Sequence, residues 1–136
     1  MRYLVDTNVL SEVRKGTRCN ASVAAWWSSV NQDDVFVSIL TIGELRKGIE
    51  RARRRDAGFA ASLEKWLTLV TSYYRDRIVT IDLEVAEEWG RLSVPDPLPA
   101  VDGLIAATAK IKGLTLVTRN VRDVARTGVT FLNPWA

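Results

Sequence analysis

Four carboxylates in this 136-residue chain stand where strand-like patterning gives way to helix-like patterning. Tyr3-Leu4-Val5 is a short apolar run that ends on Asp6, with Thr7, Asn8 and a helical stretch following. Glu44 lies about one turn into the helical pattern after the apolar run Val35–Ser38, Asp102 opens an alanine-rich helix, and Asp123 follows the run Leu114–Val117. In an open parallel sheet the C-terminal strand ends gather along one edge, so the four acids are expected in one cleft. Two like charges about 4 Å apart repel by roughly 1 kcal/mol in water and about 4 at an effective dielectric of 20. Proton uptake relieves that repulsion, and so does a divalent cation. Mg²⁺ or Mn²⁺ keeps several waters and needs few protein ligands, and such an ion polarises a phosphate and activates a water. The expected chemistry is metal-assisted hydrolysis of nucleic acid. Asp6 and Asp102 are the expected direct ligands, Glu44 and Asp123 direct or water-mediated ones, and Thr7 and Asn8 orient Asp6 or contact phosphate. Taken singly, each acid reads more simply as a helix cap or a surface charge; only the set of four argues for a site.

Composition narrows the chemistry. The chain has no histidine, which removes Ser–His and Cys–His hydrolysis, histidine acid–base ribonuclease chemistry and the usual zinc ligand. The single cysteine, Cys19, excludes an internal disulfide. With no signal-peptide pattern and no membrane-length apolar run, a cytoplasmic protein without a membrane partner is expected. Nineteen basic against 16 acidic residues give a net charge of +3, a lean towards anionic partners. The bias is concentrated in Arg46, Lys47, Arg51, Arg53, Arg54 and Arg55, on the helix that carries Glu44. Two readings stand for that run: a grip on a phosphate backbone, or a solvated face or a face for an acidic protein.

The positioning elements follow from periodicity. Strands are expected at Tyr3–Val5, Val35–Ser38, Ile78–Ile81, Leu114–Val117 and Val129–Leu132. Between them the spacing predicts helices over Val9–Arg14, Val23–Val30, Thr41–Arg54, Ala60–Tyr74 after a break at Gly58, Leu83–Leu92 capped by Asp82, Val101–Lys112 closed by Gly113, and Val121–Ala125. Trp26 and Trp27 fall on a core-facing stripe with Val23 and Val30. Strands alternating with helices and no linker predict one domain over residues 1–136, a three-layer α/β/α sandwich on a mainly parallel sheet.

Taken in order, Asp6-Thr7-Asn8, Ser38-x-x-Thr41-x-x-Glu44-Leu45-x-x-Gly48-Ile49, Asp102-x-x-Ile105-Ala106-Ala107-Thr108-Ala109, Val117-Thr118-Arg119-Asn120 and the closing Asn133-Pro134-Trp135 resemble the PIN-domain ribonucleases, specifically VapC-like toxins of the FitB subgroup. The resemblance spans essentially the whole chain. It implies a PIN-like fold and a Mg²⁺- or Mn²⁺-dependent endoribonuclease, usually a homodimer, held inactive by a VapB-like antitoxin whose tail enters the toxin groove. Operator DNA is then bound only through the antitoxin. The resemblance carries over Asp6, Glu44 and Asp102 as acids, with Ser38, Thr41, Thr118, Asn120 and Arg46 in support. Some members of the family place the fourth acid where this chain has Asn120, so Asn120 and Asp123 remain alternatives for that position. Rival readings are a catalytically idle PIN-like module that binds nucleic acid or protein, and a metal-dependent phosphatase or DNA nuclease.

Overall fold

The computed structural model describes residues 1–136. Its centre is a five-stranded sheet in which every neighbouring pair is parallel: β1 (Tyr3–Val5), β2 (Val35–Ser38), β3 (Ile78–Val79), β4 (Thr115–Val117) and β5 (Phe131–Leu132), in the order β3-β2-β1-β4-β5. The central strand β1 carries Asp6 at its end. Val5 is in register with Val37 on one side and Val117 on the other, so the C-terminal ends of three strands open onto one edge.

Successive strand residues point to opposite faces, and Leu4 and Val5 separate the two halves of the core accordingly. Val5 packs with Val9, Leu10, Val37, Leu45, Ile49 and Leu67, beneath α1 (Thr7–Val13), α2 (Ala21–Ser29), α3 (Ile39–Arg53) and α4 (Ala57–Tyr73). Leu4 packs with Ile105, Ala106, Ala109, Leu116 and Val124, beneath α6 (Ala100–Lys112) and α7 (Val121–Val124). The expected α/β/α sandwich is thus present. α5 (Leu83–Leu92) packs on α6. There the buried Glu88 binds Arg91 at 2.9 Å and Lys110 at 3.0 Å, which hold its carboxyl below the usual range. This clamp steadies the helix whose first turn bears Asp102.

Side-chain caps decide where the helices start. Asp6 accepts from the Thr7 N–H, so α1 begins at Thr7 rather than at Val9. Ser38 accepts from the Leu40 N–H and starts α3 at once after β2, two residues before the predicted Thr41. Asp82 accepts from Val85 and opens α5. The predicted break at Gly58 falls elsewhere: Asp56 accepts from the Phe59 N–H, and Gly58 lies within α4. Strands β3 and β5 are two residues long, shorter than their apolar runs. Gly113, at φ +67°, closes α6 in the left-handed region that favours glycine. No helix is long and apolar enough to cross a membrane.

Candidate active site

Asp6 is 8% exposed, at the junction of β1 and α1. Its Oδ1 accepts from the Thr7 N–H at 2.8 Å, and its Oδ2 accepts from the Thr118 hydroxyl, also at 2.8 Å. The Asn120 N–H donates to that same hydroxyl oxygen at 3.1 Å, which ties the loop after β4 to the carboxylate. Burial pushes the Asp6 carboxyl above its ordinary value. The bonds from Thr118 and Thr7 pull it down, and the negative charge of Glu44 raises it further.

Glu44 comes from α3. Its Oε1 accepts from the Thr7 hydroxyl at 2.5 Å, and the buried Thr41 hydroxyl lies 3.2 Å from the Thr7 oxygen, placed to donate to it. One residue, Thr7, therefore fixes two acids: Asp6 through its backbone and Glu44 through its side chain. Asp102, in the first turn of α6, is partly exposed. Burial raises its carboxyl, and the charges of Asp6, Glu44 and Asp123 raise it further. Three elements distant in sequence thus place mutually repelling acids around a cleft of about 440 Å³, whose lining residues are all polar or charged except Trp135.

Asn120 is at the cleft wall, but Asp123 is not: it is exposed on the outer side of the single-turn helix α7, and its charge alone reaches Asp102. Ser38 is fully buried as the cap of α3 and faces no substrate. Arg46 points to α4, where it forms a two-pronged pair with Glu64 at 2.6 and 2.7 Å. Ser11, Glu12 and Lys15 line the cleft without having been expected there, and Arg119 and Trp135, expected only as members of the sequence motifs, line it with them. For three of them a signal exists: Asn8, Ser11, Glu12 and Lys15 recur at i, i+3, i+4 and i+7, a polar stripe at helical spacing beside the buried Val9 and Leu10. Arg119 lies 5.2 Å from the ring centre of Trp135, across from Lys15, which pairs with Glu12 at 3.0 Å.

The donor set suits a hard cation. All the candidate ligands are oxygens, and Asn8 Oδ1 is buried without a hydrogen-bond partner beside the acids. No three acidic side chains are close enough together to enclose an ion by themselves.

The Thr118 hydroxyl gives a direct test of how Asp6 is tuned. Thr118→Val removes a hydrogen bond that favours the charged carboxylate, so the acid limb of a pH–rate profile moves to higher pH and the rate falls roughly tenfold to a hundredfold. Thr118→Ser restores both. An unmoved acid limb would show that this contact does not tune the site.

Comparison with known proteins agrees with the architecture. The sequence pattern of the PIN domain matches residues 3–129. Toxin FitB of Neisseria gonorrhoeae is 31% identical over 140 residues, covering 97% of both chains. A VapC ribonuclease of Sinorhizobium fredii is 30% identical, covering 97% of this chain and 96% of its own. Among solved structures, FitAB bound to a DNA fragment superposes with a TM-score of 0.87 at 30% identity, over 98% of this chain and 96% of the other. A toxin–antitoxin complex from Klebsiella pneumoniae gives 0.71 at 25% identity, over 97% of each chain.

Proposed function

The chain belongs to the PIN domain family, and on that premise we propose that residues 1–136 act as one nuclease domain, a metal-dependent endoribonuclease that is the toxin of a toxin–antitoxin pair. The observation that carries this reading is the convergence of Asp6, Glu44 and Asp102 on one polar cleft, held by the Thr7 and Thr118 hydroxyls. Asp6 and Asp102 would hold Mg²⁺ or Mn²⁺, with Glu44 in support directly or through water. The ion supplies activation of the attacking water and neutralisation of charge on the scissile phosphate.

The remaining work belongs to the side chains. Thr118 and Thr7 aim Asp6 and favour its charged form against its burial. Thr7 locks Glu44 in one rotamer. Lys15 and Arg119 stand at the rim as the cations nearest the acids and orient the phosphodiester. Water adds to phosphorus, the P–O bond to the leaving oxygen breaks, and the proton leaves with that oxygen or to solvent.

The relatives' names support the toxin, ribonuclease and antitoxin parts of this reading: a toxin, a VapC ribonuclease and a toxin–antitoxin complex are each similar along nearly the whole chain. A VapB-like antitoxin covers the cleft and silences it, operator DNA is engaged by the complex through the antitoxin, the toxin pairs as a homodimer, and the setting is cytoplasmic.

Incubating antitoxin-free protein with RNA, DNA and a small phosphoester, in Mn²⁺, Mg²⁺ or excess chelator, tests the proposal. RNA is cut in metal and spared in chelator. Equal cutting of DNA overturns the RNA preference, cutting in chelator overturns the metal role, and no cutting of any substrate favours an idle binding module.

A further inference from the structure

We propose that Arg51, Arg54 and Arg55 form a second phosphate-binding site, which grips the RNA strand on one side of the bond that is cut. This inference rests on the nuclease reading above. The basic run of α3 is not uniform. Arg46 is neutralised by Glu64 and Glu50, and Arg53 by Glu50 at 3.2 Å and Glu64 at 3.0 Å. By contrast, Arg51, Arg54 and Arg55 make no ion pair, are exposed, and together line a depression of about 790 Å³ between the end of α3 and the start of α4. The one carboxylate there, Asp56, is engaged in capping α4, with its Oδ1 accepting from the Phe59 N–H at 3.0 Å. Three guanidiniums around one concavity repel one another until an anion enters, and their planar forks match phosphate oxygens.

The depression is connected to the cleft. Gly48, Ala52 and Phe59 line both the depression and a groove of about 270 Å³ between α1, α3 and α4, and that groove shares Thr7, Ser11 and Glu44 with the acidic cleft. Arg54 lies ten residues beyond Glu44, about 15 Å along the helix axis. The surface at Gly48 is open, with nothing within 4 Å of where a Cβ would stand. At the junction the Phe59 ring is 46% exposed, with the Arg14 guanidinium 5.6 Å from its centre. Such a cation–aromatic ledge suits unpaired bases. A strand cut among carboxylates must leave over some surface, and this one reverses the sign of the charge. That continuity favours a single-stranded RNA over an acidic protein segment.

The test compares wild type with the Arg51→Gln/Arg54→Gln/Arg55→Gln protein on two substrates: an oligouridylate long enough to reach the depression, and a dinucleotide confined to the cleft. On the long RNA, KM rises about tenfold with kcat unchanged, and the slope of log affinity against log salt becomes shallower by about two, as expected for three single-strand phosphate contacts. Dinucleotide kinetics do not change, and the triple lysine variant recovers most of the affinity. Normal cutting with unchanged KM and salt slope overturns this proposal alone. So does an unchanged KM accompanied by loss of binding to poly-glutamate, which would assign the patch to an acidic protein. A wild type that cuts no RNA overturns the nuclease reading, and this inference with it.

Discussion

Asp6→Asn reduces RNA cleavage about a hundredfold to a thousandfold, on the order of what removing a principal charge-stabilising group costs, and it leaves the metal-free protein more stable than wild type at neutral pH. The two halves of that expectation come from the same geometry. Asparagine keeps the shape of the residue. Its Oδ1 still accepts from the Thr7 N–H, and its Nδ2 donates to the Thr118 oxygen once that hydroxyl rotates, replacing the two 2.8 Å contacts of the native side chain. What disappears is a buried negative charge that desolvation and Glu44 both disfavour. Asp6→Ala separates shape from charge: it strands the Thr7 N–H and the Thr118 hydroxyl and costs about 1–3 kcal/mol. Thermal unfolding and a cleavage assay on the three proteins decide between a catalytic acid and a helix cap. If Asp6 serves only as the cap of α1, Asp6→Asn retains activity while still gaining stability from the lost buried charge.

Why Asp6 was readable and Asp123 was not lies in what fixes each side chain. Asp6 ends a strand with neighbours on both sides, so the direction of the chain at that point is set by the pairing of Val5 with Val37 and Val117. Any acid following such a strand is delivered to the sheet edge. Asp123 follows the loop after β4 on a helix of four residues with no side-chain cap. Asn120 stands in the loop before that helix, tied to the Thr118 hydroxyl, and it rather than Asp123 meets the cleft. The basic run presents the same problem. Its positive charge is visible in the sequence, and so is Glu50 at helical spacing from Arg46 and Arg53, but the share of their cancellation that comes from Glu64, 18 and 11 residues away, exists only because α4 folds back on α3. Strand identity was local and legible in β-branched runs. Strand order, which brings Glu44 and Asp102 to Asp6, is set by long-range pairing that no local pattern encodes.

Mn²⁺ stabilises the protein, and the gain shrinks as the pH falls. Binding to the native state alone contributes about 2.7 kcal/mol at a hundred times Kd, roughly 10 °C in a domain of this size. The metal-free protein has the opposite pH dependence. Asp6 and Asp102 have carboxyls raised above their ordinary 3.8, so the folded state binds protons more tightly than the unfolded one. Stability is therefore lower when both are charged, and it rises as the pH falls from neutrality through their folded values. Glu88 and Asp82 act the other way, because their carboxyls are lowered. Their contribution is complete above the ordinary carboxylate range and is lost only below it. Between neutrality and that range, the melting temperature of metal-free protein climbs with acidification. The metal-bound protein loses its advantage there, since protons compete for the same oxygens, and the two curves converge. In Asp102→Asn the metal shift is largely lost and the metal-free curve flattens. Melting curves that stay parallel across this range, with and without Mn²⁺, would separate the acids from the metal and leave the cleft without the role proposed for it.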